Sequence, residues 1–280
     1  MKSIKGKITI IALIISTTCL LMLSVICYYS SKQDLTQQTL SKIQYQSDTY
    51  SATFDGWLQK EGKLVDEISN DLENNKVNDK ATLTPYFDRK IKNNKEFSSL
   101  YVGLKDKTFL SDSTTKVPAG FDCTSRAWYT KAIEMDKLIY TTPYLDVYTG
   151  KMVVAIAKPV KVNGVVVGVV AADIFVDYLT NLTKNAKSGD NSYGFLLDND
   201  ENYIVHANKD FQPSEKGAIN FGKVLDGRFS SISQQLSKSS NTVNLIKDYD
   251  NVDKYYVTSK INATDWTFGF AVPKSYVTKP

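Results

Sequence analysis

The residues best suited to chemistry cluster at positions 120–132, GFDCTSRAWYTKA. Arg126 offers a planar fork of donors that fits a carboxylate, and Trp128 adds an indole N–H that can only donate. The two side chains would share a face if this stretch were extended. The segment therefore predicts a binding site for an anionic group.

A second group of side chains complements these donors. It consists of three tyrosines and two aspartates, namely Tyr101, Tyr129, Tyr144, Asp146 and Asp173. The tyrosines could line a pocket with aromatic surface and hydroxyl groups, and the aspartates could supply negative charge for an ammonium. Asp173 follows the apolar run 165–172, where an unpartnered buried charge costs several kcal/mol, so we expect a positive group beside it. Donors for a carboxylate and acids for an amine describe an α-amino acid.

Each of these residues also has a purely structural interpretation. Arg126 could form an internal salt bridge with Asp146 or Asp173. Trp128 and Tyr129 could belong to the hydrophobic core, as most buried aromatic residues do. The spacing of the residues alone leaves both interpretations open.

The N-terminal segment predicts a membrane anchor. Residues 8–31 carry no charge and are long enough to cross ~30 Å of hydrocarbon at ~1.5 Å per residue. We assign residues 8–30 to a transmembrane helix and residues 1–7, with three lysines, to a cytoplasmic tail, which places the remainder outside the cytoplasm. A cleaved signal peptide would have a shorter apolar core followed by a small-x-small site, so an uncleaved anchor in the cell membrane is favoured.

The rest of the chain predicts an α+β fold with two successive modules. Residues 31–74 lack proline and repeat apolar residues at helical spacing, which indicates a long amphipathic stalk helix over 31–76. The stripe consists of Tyr50, Phe54, Trp57, Leu64, Ile68 and Leu72. Two modules follow, at 77–185 and 186–276, each with a central antiparallel sheet, and the polar stretch 184–191 forms a linker or loop between them.

Short β-rich runs beyond Pro85 define these sheets. We predict strands at 98–104, 138–144, 152–162 and 165–174, then at 193–198, 203–207, 242–248, 254–261 and 266–272, with a helix at 227–239. Asn163-Gly164 favours a type I′ turn, which makes the flanking strands antiparallel neighbours. Residues 198–202 and Asp250-Asn251 are typical of hairpin turns.

Composition excludes several functional classes. Three of the four net positive charges lie in the first seven residues. The remainder is nearly neutral and therefore lacks the excess of Lys and Arg that nucleic-acid binding requires. Cys19 and Cys27 lie in the apolar run, which leaves Cys123 without an intrachain partner. His206 is the single histidine, so we expect no multi-histidine metal site and no cofactor. The sequence contains none of the motifs expected of an anchored hydrolase, and we predict that the chain is not an enzyme. The alternative hypothesis, that the chain is an ectodomain that binds a protein partner, stays open.

The chain resembles the double Cache sensor domains of bacterial chemoreceptors and sensor kinases, over about residues 32–276. Phe121-Asp122, Arg126, Trp128-Tyr129 and Asp173 look like the motif of the subset that binds amino acids. Phe121 stands where that subset usually has tyrosine, and Cys123 and Ala127 occupy places where proline is frequent. These departures bear on affinity and on the range of ligands.

The resemblance implies two tandem PAS-like Cache modules, with the ligand pocket in the membrane-distal one. Arg126 and Trp128 would hold the carboxylate of an L-amino acid. Tyr129 and Asp173 would help to hold its ammonium, with three residues nearby, Tyr101, Tyr144 and Asp146. The implied function is a chemoreceptor sensor region, with a homodimer through the long helix as a further expectation.

The output of such a receptor is not readable from this sequence. A histidine kinase or a cyclic-dinucleotide enzyme could use the same kind of sensor region. Neither kind of module appears before Pro280. We therefore expect either a truncated receptor or a relative without an output module.

Overall fold

The computed structural model describes residues 4–75, 79–236 and 241–279. It contains one long helix, six short helices and two antiparallel sheets. The helices are α1 (Ile4–Asn75), α2 (Lys80–Asn93), α3 (Ala127–Met135), α4 (Val176–Lys184), α5 (Val224–Gly227), α6 (Ser230–Leu236) and α7 (Lys274–Val277). The strands are β1 (Phe97–Leu104), β2 (Phe109–Ser111), β3 (Ile139–Tyr140), β4 (Tyr144–Leu145), β5 (Met152–Val162), β6 (Val165–Phe175), β7 (Tyr193–Leu197), β8 (Tyr203–Val205), β9 (Asn241–Lys247), β10 (Asp253–Ile261) and β11 (Trp266–Pro273). The α+β prediction is confirmed.

Helix α1 joins the apolar N-terminal run and the predicted stalk in one unbroken element of 72 residues. Its first part exposes large apolar side chains, among them Ile8 at 62% and Leu21 at 67%. Apolar surface of this extent is unfavourable in water. Within the described residues, α1 is the single helix with the length and composition to cross a membrane.

The stalk part of α1 packs against both sheets. Phe54, Ile68 and Leu72 are buried, and the other three residues of the predicted stripe pack against the same core. The Gln44 side chain donates to the Thr258 carbonyl of the second sheet (3.2 Å). These contacts confirm that the predicted stripe is the buried face of the helix.

The two sheets lie at different distances along α1 from its apolar part. The first sheet contacts the far end of the helix, where the Ser69 hydroxyl donates to the Pro159 carbonyl (3.1 Å). We call β1–β6 with α2 and α3 the distal module, and β7–β11 with α5–α7 the proximal module. One apolar core, which includes Val154 and Phe268, continues through both modules and α1.

The distal sheet has the order β2-β1-β6-β5-β3, and β4 also pairs with β5. All of these pairings are antiparallel. Asn163 (φ 53°) and Gly164 (φ 77°) connect β5 to β6. Because both residues have positive φ, as a type I′ turn requires, the predicted hairpin is confirmed.

The proximal sheet has the order β8-β7-β11-β10-β9 and is also antiparallel. Glu201 (φ 62°) and Asn251 (φ 63°) lie in the two predicted turns. The predicted helix at 227–239 corresponds to α6, although positions 237–239 lie outside the described residues. Helix α5 is a single turn in which Leu225 and Asp226 are left-handed.

Two local predictions were incomplete. The predicted strand at 138–144 is divided into β3 and β4, because Pro143 between them has no N–H for the ladder. Helix α2 and strand β2 were not predicted. Pro85 lies inside α2, where the buried side chains of Leu83 and Phe87 hold the helix to the core despite the missing N–H.

Candidate functional site

Asp173 is the centre of the candidate site. It lies on β6 opposite Ser99 of β1, with a residue exposure of 1%. The hydroxyl groups of Tyr101 and Tyr144 each donate to its Oδ1 atom (2.8 Å), and the Ser99 hydroxyl donates to Oδ2 (3.1 Å). In the part of the chain that the structure describes, no cationic side chain pairs with it. The sheet therefore buries a carboxylate with three donors and no counter-charge.

The environment of Asp173 favours its neutral form. Burial is the largest cause of a raised pKa, and the charge of Asp146 acts in the same direction. The hydrogen bonds from Tyr144, Tyr101 and Ser99 oppose the shift, and the resulting pKa is about 7. Burial, with the nearby Asp173 charge, also holds the pKa of both tyrosines well above the usual range, so these hydroxyls stay protonated. A cation placed beside Asp173 would restore its charged form.

The segment that carries Arg126 and Trp128 is not an extended strand. The Asp122 side chain accepts from the Thr124 N–H (2.9 Å) and begins a short 3₁₀ helix, Cys123–Ser125. Arg126 has extended backbone angles and caps α3. The stretch is therefore not extended, and the condition for a shared strand face is not met: Arg126 precedes α3, and Trp128 lies in its first turn.

The Arg126 guanidinium lies over the ring of Phe121, 5.9 Å from its centroid. The residue is half-buried. It makes no ion pair with a described acidic residue, so the internal salt bridge with Asp146 or Asp173 is absent from the described structure.

Trp128 and Tyr129 are buried on the first turn of α3, with exposures of 3% and 6%. The Trp128 ring contacts the ring of Tyr101 edge-on at 5.0 Å. It also approaches Gly103, where a Cβ atom would lie 2.9 Å from the indole. Trp128 thus packs as a core residue and borders Tyr101 at the same time.

Asp146 has a structural task in the loop between β4 and β5. It is buried, and its carboxylate accepts from the N–H groups of Tyr148 (3.1 Å) and Thr149 (3.0 Å) and from the Thr149 hydroxyl (2.6 Å). Its charge is close enough to affect Asp173. Direct contact between Asp146 and a ligand stays a prediction.

Tyr148 belongs to the site and was missed by the sequence analysis. Its hydroxyl is buried and has no hydrogen-bond partner within the described residues. Burial raises the pKa of this hydroxyl, the charges of Asp173 and Asp146 act in the same direction, and the charge of Arg126 opposes them. Tyr148 therefore lies within electrostatic reach of the site acids and of Arg126. Its position two residues after a predicted site acid, in a hairpin turn, was the available signal.

The aromatic rings form a continuous cover above Tyr101. Phe109 contacts the rings of Tyr101 (5.1 Å), Phe121 (5.1 Å) and Tyr148 (5.8 Å). Asp173 contacts this group of rings at Tyr101, and Arg126 contacts it at Phe121. An acid and a cation beside shared aromatic surface suit a small zwitterion. The described residues contain no cluster of three or more metal-ligating side chains.

Known proteins of similar sequence are methyl-accepting chemotaxis proteins. McpB of Bacillus subtilis (strain 168) is 27% identical over 210 residues, which are 74% of this chain and 31% of that protein. McpG of Pseudomonas putida is 32% identical over 114 residues, 41% of this chain and 18% of that protein. The chain spans about a third of the length of the first of these relatives.

Solved structures of similar fold are ligand-binding domains of chemoreceptors. CtaA of Pseudomonas fluorescens in complex with L-isoleucine superposes with a TM-score of 0.71 at 21% identity, over 88% of this chain and 97% of that chain. PctB of Pseudomonas aeruginosa PAO1 in complex with L-Arg gives 0.69 at 20% identity, over 84% and 95%. These likenesses establish the fold. The family model dCache_1, described as a Cache domain, matches residues 29–280, and the chain belongs to this family.

Proposed function

We propose that the chain is the extracytoplasmic, ligand-sensing region of a transmembrane chemoreceptor, and that its distal module binds a small L-amino acid. The observation that carries this proposal is Asp173, a buried carboxylate with tyrosine hydroxyls but no described cation beside it. Relatives that are chemotaxis proteins, and structural neighbours solved with L-isoleucine or L-Arg, support it.

The ligand ammonium would lie beside Asp173 and the hydroxyls of Tyr101 and Tyr144. Its carboxylate would receive hydrogen bonds from Arg126 and the indole of Trp128, since a charged donor on a carboxylate gives the stronger class of bond. Tyr129 and Asp146 would border the ligand, as would Tyr148. The region acts by binding and not by catalysis.

Signalling would proceed through α1. Residues 8–30 would cross the membrane with the preceding lysines on the cytoplasmic side, which leaves both modules outside. A bound amino acid can shift the receptor only if it binds two conformations with different affinity. Since α1 packs against both sheets, it is the element that such a shift would reach.

Two finer features belong to the proposal. As sequence ranges, the distal module would comprise residues 77–185, which adds α4, and the proximal module residues 186–276, which end within α7. The chain would form a homodimer through the exposed face of α1, where Tyr45 is 74% exposed. Light scattering of the detergent-solubilised chain, with Tyr45→Glu as the disrupting variant, tests the dimer.

The experiment that tests the ligand assignment is calorimetry of the full chain in detergent with each of the twenty L-amino acids. We expect saturable binding of a subset and its loss in Arg126→Ala. Arg89→Ala is the matched control, because Arg89 is exposed on α2, away from the site, and should bind normally. Absence of heat and of a thermal shift with all twenty would overturn the assignment.

A further inference from the structure

The proximal module buries an ammonium group of its own. Lys254, on β10, has a side-chain exposure of 3%. Its Nζ atom pairs with Asp248 Oδ2 at 2.8 Å and with Asp250 Oδ2 at 2.6 Å. Asp248, with a side-chain exposure of 1%, is as fully enclosed as the lysine. A buried charge pair of this kind is stable only with further bonds to both partners.

Tyrosines supply those further contacts. The hydroxyls of Tyr193 and Tyr256 donate to the two Asp248 oxygens, each at 2.7 Å. The Lys254 Nζ atom lies 4.8 Å from the ring centroid of Tyr193 and 5.2 Å from that of Tyr249, within the range of cation–π attraction. Acid, hydroxyls and aromatic faces thus surround a primary ammonium.

The lysine is held in its charged form. Burial lowers its pKa, but the hydrogen bonds and charges of Asp248 and Asp250 outweigh this, and the net shift is upward. The neighbouring His206 ring contacts the Tyr193 hydroxyl through Nε2 (3.2 Å), and burial lowers the pKa of His206 to about 4. A neutral imidazole therefore adds no competing positive charge.

The groups around the Lys254 ammonium form what we call the cage: Asp248, Asp250, Tyr193, Tyr249 and Tyr256. The cage occupies a place in its sheet that corresponds to the distal site. β10 lies beside the central strand β11 as β5 lies beside β6. Asp248 begins the turn before β10, and its N–H donates to the Val252 carbonyl at the other end of that turn (2.9 Å). Asp146 begins the turn before β5, and its N–H donates to the Lys151 carbonyl in the same way (2.8 Å). Tyr193 and Tyr101 each lie on the first strand of their module.

We propose that the proximal module contains a binding site for a primary alkylammonium and that Lys254 occupies this site from within. In the intact chain the tethered ammonium excludes external amines from the proximal module. Shortening the lysine exposes the site to a free amine of matching length. The inference goes beyond the proposed function, because it concerns the other module and does not depend on a ligand at Asp173.

The test is chemical rescue of Lys254→Ala in the full chain in detergent. Alanine keeps Cβ, so the fragment removed is n-propylammonium. We expect a lowered melting temperature that n-propylammonium chloride raises along a saturable curve, as for a ligand of the native state. 1-Propanol, which has a similar shape and no charge, and sodium chloride should give no saturable rise.

Two variants make the rescue specific. Lys158→Ala removes a partly exposed lysine that pairs with Asp66 (2.6 Å), and we expect no rescue by the amine. Asp248→Asn combined with Lys254→Ala removes the acid of the cage, and the rescue should disappear. An equal response of Lys254→Ala and Lys158→Ala would overturn the proposal.

Where Lys254→Ala is unfolded at ambient temperature, the refolded fraction after dilution from urea replaces the melting temperature. The fraction should rise with n-propylammonium and not with 1-propanol at the same concentration. Equal fractions in the two solutes would overturn the proposal as well.

Discussion

The distal and proximal modules each bury an aspartate beneath tyrosine hydroxyls, yet they compensate its charge differently. Asp248 has the ammonium of Lys254 at 2.8 Å. Asp173 has hydroxyl donors but no described cation, and burial raises its pKa to about 7. Similar surroundings can therefore serve either the stability of the fold or the binding of a ligand. A site whose counter-ion is part of the chain stabilises the fold, whereas one that lacks it favours an external cation.

Removal of the Asp248 charge should have the largest effect. Asp248→Ala leaves the Lys254 ammonium buried without its main partner, and we expect the free energy of unfolding to fall by about 3–5 kcal/mol. Urea unfolding of the full chain in detergent measures the change. Asp250→Asn is the matched control with a smaller loss, since the Asp250 side chain is 36% exposed. Equal losses of unfolding free energy in the two variants would contradict the role of Asp248 as the main partner of Lys254.

Removal of the Asp173 charge in the distal module should affect binding instead. Asp173→Asn removes the acid that faces the ligand ammonium, and a lost charge-assisted bond of about 2 kcal/mol weakens binding about 30-fold. Stability without ligand should stay the same or rise, because a carboxylate no longer has to be buried. Calorimetry measures the affinity, and Asp198→Asn, at a buried turn acid of the proximal module, should bind normally. A stability loss comparable with that of Asp248→Ala would remove the contrast between the modules.

The pH dependence should separate the two sites further. The pKa of Asp173 in the folded chain is about 7, above the ordinary aspartate value of 3.8. The folded state therefore binds the extra proton between these values, and its stabilisation is complete below about pH 4 and is lost as the pH rises to about 7. A ligand ammonium favours the carboxylate, so affinity should rise by up to about tenfold per pH unit below 7 and level off above it.

Calorimetry of binding between pH 5 and pH 8 measures this dependence. In Asp173→Asn the slope should vanish, while Asp198→Asn retains it. Affinity that is independent of pH in the unaltered chain would show that the ligand ammonium does not lie at Asp173.

The smallest effect is expected at Tyr148. Its buried hydroxyl has no described partner, so Tyr148→Phe should change the free energy of unfolding by less than about 0.5 kcal/mol. Affinity should fall a few-fold if the hydroxyl meets the ligand. Tyr140→Phe is the control, because the Tyr140 hydroxyl donates to the Leu58 carbonyl (2.8 Å) and its loss costs about 1 kcal/mol. An unchanged affinity would exclude Tyr148 from the site.

Local patterns predicted much of the fold. The Asn163-Gly164 turn and the apolar stripe of α1 follow from backbone preference and helical spacing, which act over a few residues. The same kind of signal marked Arg126 and Asp173. It did not specify the segment around Trp128, where the Asp122 cap begins a short 3₁₀ helix ahead of α3.

The pairing of Lys254 with Asp248 could not be predicted in the same way. In the sequence, Asp250 and Asn251 indicate a turn and Lys254 is an ordinary strand residue. Its burial depends on the register in which Lys254 lies opposite Pro273 of β11 and Ile246 of β9. Such long-range pairings are set by the whole sheet and not by neighbouring residues.

The continuity of α1 has a mechanical consequence. The helix runs from Ile4 to Asn75 with no non-helical residue along it, and its stalk shares one core with both sheets. The Tyr140 hydroxyl bonds to Leu58 of this helix only four residues before Tyr144 reaches Asp173. A helix without a kink offers no hinge at which a displacement of the distal sheet would be taken up. We expect such a displacement to reach the apolar end as sliding, tilting or rotation of the helix.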